Sequence, residues 1–375
     1  MNAQSKPARV DAKIPPVWLV RLVSAFRDSL ENLRKRLAPP QVALLEQTLS
    51  FWYTQAIYVA AKVNVADHLR DGPRSIAELA TATGTHAPSL YRLMRALASI
   101  GVFAEDKSGR FALTPMAEAL RTDAPHSIRA IAIMTGEDWW WRAWGQIRFS
   151  VQSGKSSFEH VHGMRFFDYM KKNQEAGAVF DQAMSAYSSQ TAAQVVTACP
   201  FFHEAAVVVD VGGGRGTLIS TILSHHAQLR GVIYDLPVTV EAAKRLLESH
   251  GLSSRCQVLG GDFFEAIPAG GDVYILQHVI HDWDDEHATK ILKNCYQAMP
   301  PGKRLLLVEM VIPPGNKPFL GKFLDLGVLM MESGARERTE LEYRNLLSRA
   351  GFHVSSIIPL PSPDSVIEAV RNGPQ

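Results

Sequence analysis

Between Gln277 and His287 the chain reads Q-H-V-I-H-D-W-D-D-E-H, a close grouping of histidines and acids that directly follows an apolar run at 272 to 278. Such a run reads as a β-strand, and open α/β sheets hold their ligands at the carboxyl ends of strands, where this grouping falls. Histidine is the usual general base near neutrality. To take a proton from a hydroxyl, one ring nitrogen must be free and the other held by an acceptor. Glu309 closes the next apolar run, RLLLVE, on the same rim, and Glu337 in the loop GARERT can return to it after a helix. Two acids beside one imidazole orient it and stabilise its charged form. His281, Glu309 and Glu337 are therefore the candidate catalytic set, and abstraction of an acceptor proton is the chemistry they suit. A buried histidine with chance carboxylates is the plainer alternative. His278, His281, Asp282, Asp284, Asp285 and His287 could also be imagined around a metal, but they span a strand end and a helix start and cannot all converge. The acids fit better as N-cap and first-turn residues, so no metal is expected. His225-His226 reads as surface.

A ligand for this base must be held by neighbouring strand ends, and the clearest of these is AAVVVDVGGGRG at 205 to 216. The apolar, β-branched run suits a strand covered on both faces, with Asp210 closing it. Gly212, Gly213, Gly214 and Gly216 then permit a tight turn close to a ligand before a helix begins. The spacing is neither the G-x-G-x-x-G of a dinucleotide turn nor a phosphate loop, so phosphate is not the obvious guest. Asp235 ends a second run, where an acid can accept from ribose hydroxyls. Asp262 ends a third beside Phe263, an acid and an aromatic that suit an adenine. In this order the three parts resemble the S-adenosylmethionine site of class I methyltransferases.

The 375 residues exceed the usual single-domain range, so two domains are expected. A net charge of +2 with 20% charged and 46% hydrophobic residues gives no broad footprint for a polyelectrolyte, which argues against nucleic acid. Cys199, Cys256 and Cys295 are odd in number and widely spaced, as reduced thiols in a cytoplasmic protein would be. No leader pattern or membrane-length apolar run is seen, and a soluble chain is expected.

Met1 to Lys13 is polar and expected to be mobile. Val17 to Leu37 places Leu19, Leu22, Val23, Phe26, Leu30, Leu33 and Leu37 at steps of three and four, an amphipathic helix stopped by Pro39-Pro40. The following segment, from Val42 to Leu69, reads as a helix apolar almost all round, which is buried in its own core or in a subunit interface, and a homodimer contact is the favoured reading. Pro73 to Leu120 reads as helix, turn, helix and β-wing, with too few cations on the second helix for DNA reading. Trp139, Trp140, Trp141 and Trp144 look like core, while Phe167, Met184 and Tyr187 can also line a pocket for a flat substrate. From residue 207 onward, apolar runs at 207 to 210, 231 to 235, 256 to 260, 272 to 278 and 303 to 311 alternate with helical stretches at 217 to 228, 239 to 250 and 285 to 299. Two more helices follow, at 319 to 331 and 340 to 350, and then two closing strands, one antiparallel. This is a doubly wound α/β sheet.

Taken together, DVGGGRG, YDLP, GGDFFE, HDWDDE, the Pro-Gly turn before RLLLVEM, and the late ERT resemble the metal-independent class I S-adenosylmethionine-dependent O-methyltransferases of the caffeate, hydroxyindole and antibiotic group. The resemblance covers about residues 40 to 370. It implies a Rossmann-like methyltransferase domain at 191–375, preceded by a mostly α winged-helix dimerisation and substrate-closing domain at 39–190 and a tail with its helix at 1–38. It implies S-adenosylmethionine as cofactor, a small hydroxylated aromatic acceptor and a homodimer. By the same resemblance His281 is the base flanked by Glu309 and Glu337. Gly212, Gly214, Asp235, Leu236, Asp262, Phe263, Trp283 and Tyr187 match cofactor positions. Phe167, Met184, Asp282, Val328, Met331 and Glu332 match acceptor-lining ones. Gln277 stands where many plant members carry lysine, which implies a weaker, neutral contact with the cofactor. A winged-helix regulator that senses a metabolite through a degenerate methyltransferase domain is the alternative, and an intact base set argues against it.

Overall fold

A computed structural model describes residues 17–371 of the chain, so the expected mobility of Met1 to Lys13 lies outside the described residues. In chain order the strands are β1 (Arg74–Ser75), β2 (Phe103–Glu105), β3 (Arg110–Leu113), β4 (Val207–Val211), β5 (Arg230–Asp235), β6 (Cys256–Gly260), β7 (Val273–Gln277), β8 (Arg304–Glu309), β9 (Val311–Ile312), β10 (Arg338–Thr339), β11 (Phe352–Pro359) and β12 (Ser365–Arg371). Seven of them form one sheet in the order β11-β12-β8-β7-β4-β5-β6. From β4 the chain winds to β5 and β6 on one side, then returns to β7 and β8 on the other, with these five strands parallel. The reversal places a crevice between the carboxyl ends of β4 and β7, the position where doubly wound sheets bind their ligands. β12 then runs antiparallel to β8, and β11 antiparallel to β12.

The apolar runs are continuous rather than alternating because both sheet faces are covered. One face packs Val209, Tyr274, Leu276, Leu305 and Leu307 under the helices Asp285–Ala298 and Glu340–Arg349. The other packs Val208, Ile233, Ile275, Leu306 and Val308 under Thr217–His225, Pro237–Ser249 and the end of Gln174–Ala198.

Three expectations need correction. The first strand does not close at Asp210 but runs to Val211, leaving Asp210 inside the sheet at 2% exposure. The run at 303 to 311 is not one strand. It ends at Glu309, and Val311–Ile312 leaves the sheet to pair in parallel with Arg338–Thr339, which carries Glu337 back toward Glu309. The segment from Val42 to Leu69 is not one helix but parts of three, Pro40–Thr48, Phe51–Lys62 and Val65–His68, with Asn64 in the left-handed region at φ 59° between the last two. Asparagine tolerates that conformation, which lets the chain turn without a glycine.

Before the large sheet, the helices Ile76–Thr83 and Ala87–Ser99 are followed by the β2–β3 hairpin, with β1 pairing antiparallel to β3. Leu90, Met94 and Leu97 face the small core there. Ser75 and Glu78 close a capping box on the first of these helices. Trp139 and Trp140 are buried with Phe158 and Phe166. The 25-residue helix Gln174–Ala198 contacts both the helix Arg129–Gly136 and the first helix of the large sheet, so residue 190 lies within it.

Candidate active site

His281 sits in a single 3-10 turn, Ile280–Asp282, immediately beyond β7. Three groups fix that turn. Glu309 Oε1 accepts the backbone N–H of Ile280 at 2.9 Å and of Val279 at 3.2 Å. The Arg338 guanidinium, wholly buried, donates to the carbonyls of Ile280 at 3.0 Å and Trp283 at 2.8 Å and to Asp285 Oδ1 at 2.9 Å. The Arg336 N–H donates to the His281 carbonyl at 2.8 Å. Held this way, the His281 ring lies with Nδ1 at 2.8 Å from Glu337 Oε1 and 3.5 Å from Glu309 Oε2, while Nε2 is 3.5 Å from Asp282 Oδ1. A carboxylate can only accept, so the Nδ1 proton points at Glu337 and the Nε2 lone pair is available. The Glu337 N–H in turn donates to Asp325 Oδ1 at 2.9 Å.

Burial opposes a charge on His281, but Glu337, Glu309 and Asp282 together reverse this and hold the imidazole well above its ordinary 6.5. Burial in the same cluster pushes Glu309 up to about 7 and Asp282 up to about 6. His281, Glu309 and Asp282 are thus electrostatically coupled, so a proton gained by one is felt by the others. Asp284 caps the next helix by accepting from the His287 N–H, and Asp285 pairs with Arg336 and Arg338, so both acids serve the helix start.

The glycine turn lies across the crevice. Gly212 has φ 71°, and a Cβ there would meet Val279 Cγ2 at 2.8 Å, in the segment that carries His281. Gly214 has φ 56° with nothing within 4 Å of a Cβ, an open backbone cradle. Asp235 Oδ2 accepts the Gly214 N–H at 2.8 Å and its Oδ1 accepts the Leu236 N–H at 2.6 Å, tying the turn to the end of β5. Asp262 Oδ1 accepts the Phe264 N–H at 2.8 Å. Phe263 stands edge-on to Trp283 with ring centres 6.0 Å apart, and Phe167 lies nearly parallel to Trp283 at 6.4 Å. Gln277 Oε1 accepts from Ser188 at 2.8 Å, while its buried Nε2 has no partner; Tyr187 precedes that serine on the same helix. Asp210 Oδ2 is likewise buried and unpartnered, and burial with Asp235 nearby raises that carboxyl to about 7. Unpartnered buried polar atoms at the ends of two neighbouring strands, an open glycine turn, and acids and aromatics at successive strand ends fit a nucleoside with a polar tail.

Phe167, Met184 and Met331 pack in one cluster with Trp139 and Trp140, and Phe167 links that cluster to Trp283. Val328 is buried on the same helix as Met331, and Glu332 closes that helix. Glu332 Oε1 pairs with Arg165 at 2.7 Å and its Oε2 is buried without a partner. Arg165, Arg338, Asp325 and the pair His278–Asp364 were missed by sequence reasoning. In the sequence His278 figures only in the metal grouping, and Arg338 stands out only as a cation inside the ERT segment.

This fold and site define a two-domain, cofactor-binding transferase. The description "O-methyltransferase domain" matches residues 144–353 and "O-methyltransferase dimerisation domain" matches residues 45–123. The chain is 44% identical to the phenazine O-methyltransferase PhzM of Lysobacter antibioticus over 90% of its own length and 98% of that protein. It also matches the crystal structure of LaPhzM at a TM-score of 0.85, with 43% identity and 89% and 100% of the two chains covered. A neocarzinostatin-biosynthesis O-methyltransferase, solved with S-adenosylmethionine and 2-hydroxy-5-methyl naphthoic acid, is 34% identical at a TM-score of 0.72, covering 85% and 96%. The chain belongs to the O-methyltransferase family. These relatives are transferases and give the regulator reading no support.

Proposed function

We propose that this protein transfers a methyl group from S-adenosylmethionine to a hydroxyl of a small aromatic acceptor, with His281 as general base oriented by Glu337 and Glu309. The observation that most supports this is the 2.8 Å contact from His281 Nδ1 to Glu337, which frees Nε2 on the rim shared with the glycine turn. Gly212, Gly214 and Gln277 would hold the methionine part, Asp235 and Leu236 the ribose, and Asp262, Phe263 and Trp283 the adenine, with Tyr187 over the rim. When bound, S-adenosylmethionine supplies an electrophilic methyl group on a positively charged sulfur. Phe167, Met184, Val328 and Met331 exclude water and align a flat ring, while Asp282 and Glu332 mark its polar edges. His281 Nε2 then takes the hydroxyl proton, and both glutamates stabilise the resulting imidazolium. Relatives acting on phenazine and naphthoate scaffolds support a flat acceptor, and the relatives named as O-methyltransferases support oxygen as its methylated atom.

In this reading residues 39–190 dimerise and close the pocket and residues 191–375 bind the cofactor. Three buried, free cysteines accord with a cytoplasmic setting, and among the described residues no helix is long and apolar enough to cross a membrane. The test is incubation with labelled S-adenosylmethionine and a panel of phenols, hydroxyphenazines and naphthoates. His281→Ala should lower kcat by roughly 10²- to 10⁴-fold while calorimetric affinity for the cofactor holds. Methylation surviving at the native rate would reject the base.

A further inference from the structure

Next to the base stands a second imidazole that the mechanism above does not use. His278 and His281 lie nearly parallel, 16° apart, with ring centres separated by 5.5 Å. His278 Nε2 is 2.9 Å from Asp364 Oδ1, and Asp364, almost wholly buried at the start of β12, also accepts from Thr191 at 2.7 Å and Ser362 at 3.3 Å. His278 occupies the left-handed backbone region at φ 52°, a position uncommon for a side-chain-bearing residue, and its N–H is bonded to the Val308 carbonyl. The turn thus presents two rings on one edge, each backed by carboxylates from distant parts of the chain.

The geometry points to His278 as a positioning residue for the base: paired with Asp364, it places a positive charge against His281 and opposes retention of a proton there. This rests on the reading of His281 as the base. Glu337, Glu309 and Asp282 all favour the protonated form of His281, and a base so surrounded stays loaded unless something counters them. The groups that face His278 are Asp364 from β12, Glu309 from β8, His281 and Asp282 from its own segment, and Tyr187, which interacts with Asp364 from the Gln174–Ala198 helix. Burial opposes a charge on His278, yet Asp364 more than offsets it and the ring is held above its usual value. Burial likewise opposes ionisation of Asp364, which His278 and the two hydroxyls nevertheless hold below the ordinary carboxylate value. Asp364 and His278 thus favour each other's charged forms, and the ring that gains from this is the one stacked on the base. Like charges at this separation disfavour each other.

The experiment measures kcat against pH for the native enzyme, His278→Gln, His278→Arg and Asp364→Asn, together with NMR titration of the His281 ring in the cofactor-free proteins. Removing the cation with His278→Gln should move the acid limb, and the His281 titration, up by about one pH unit. Asp364→Asn should move both in the same direction, because His278 then gives up its proton more readily. His278→Arg keeps a cation and should leave the limb near its native position. An unmoved limb in both His278→Gln and Asp364→Asn would overturn the inference, as would equal loss at every pH in the Gln and Arg variants, the sign of packing alone. Should His281→Ala retain turnover, the base reading itself fails; should it abolish turnover while the limbs stay fixed, only the role of His278 fails.

Discussion

At the scale of single residues, the site turns on how one imidazole is held. Glu337 contributes both an acceptor and a charge, and Glu337→Gln separates them: the amide oxygen can still accept the Nδ1 proton, but the imidazolium loses a countercharge. We expect kcat to fall by roughly 10²-fold, at the lower end of what general-base catalysis contributes. The acid limb should move down because the proton is held less firmly. Unchanged kcat in single-turnover assays would reduce Glu337 to a structural acid. The native limb has a definite sign as well. His281 is held above 6.5, and as the proposed base it would act only when neutral, so kcat should rise with pH and reach half its plateau above that value. A limb centred below 6 would place the essential proton on another group.

At the scale of elements, the base depends on a short parallel pairing. β9 and β10 share only Val311 with Arg338 and Ile312 with Thr339, yet that pairing carries Glu337 to His281 and seats Arg338 beneath the turn. Arg338→Met should leave the Ile280 and Trp283 carbonyls without their donor and cost roughly 2–4 kcal/mol of stability, read from urea unfolding. Arg338→Lys should not restore it, since one ammonium cannot reproduce a planar fork serving three acceptors. Native-like unfolding of either variant would show that the turn is held elsewhere. This dependence also explains what the sequence made readable. His281, Glu309, Asp235 and Asp262 stand at the ends of apolar runs, and a parallel sheet brings all such ends to one rim. Glu337 was accessible only through its motif, because nothing local in GARERT foretells a two-residue strand. Arg338 looks like any solvated cation until the chain folds over it. The contact between His278 and Asp364 joins positions 86 residues apart and exists only because β12 enters antiparallel to β8, an arrangement that apolar runs alone do not specify.

For the whole molecule, the first three helices pose a problem that one chain does not solve. Of the 22 exposed large apolar side chains among the described residues, 15 lie between Trp18 and Val59, so the exposure is one surface rather than scattered positions. Trp18, Leu22, Phe26, Leu30 and Leu33 line the Val17–Leu37 helix, and Leu44, Leu45, Phe51 and Trp52 continue along the next two. A face of this extent is unfavourable in water and is the mark of an interaction surface. A second copy of the chain is the occupant we propose, and the match of residues 45–123 to a dimerisation domain supports it. The double substitution Phe26→Glu, Leu30→Glu should convert a dimer into a monomer in light scattering at micromolar concentration, because two buried carboxylates per subunit cannot be desolvated without partners. If the partner also closes the pocket, kcat/KM for the acceptor should fall several-fold more than the affinity for S-adenosylmethionine, since the glycine turn and its acids lie wholly within one chain. A native protein already monomeric at that concentration would leave the apolar face without this occupant, and an acceptor kcat/KM unchanged by dissociation would show that each subunit closes its own pocket.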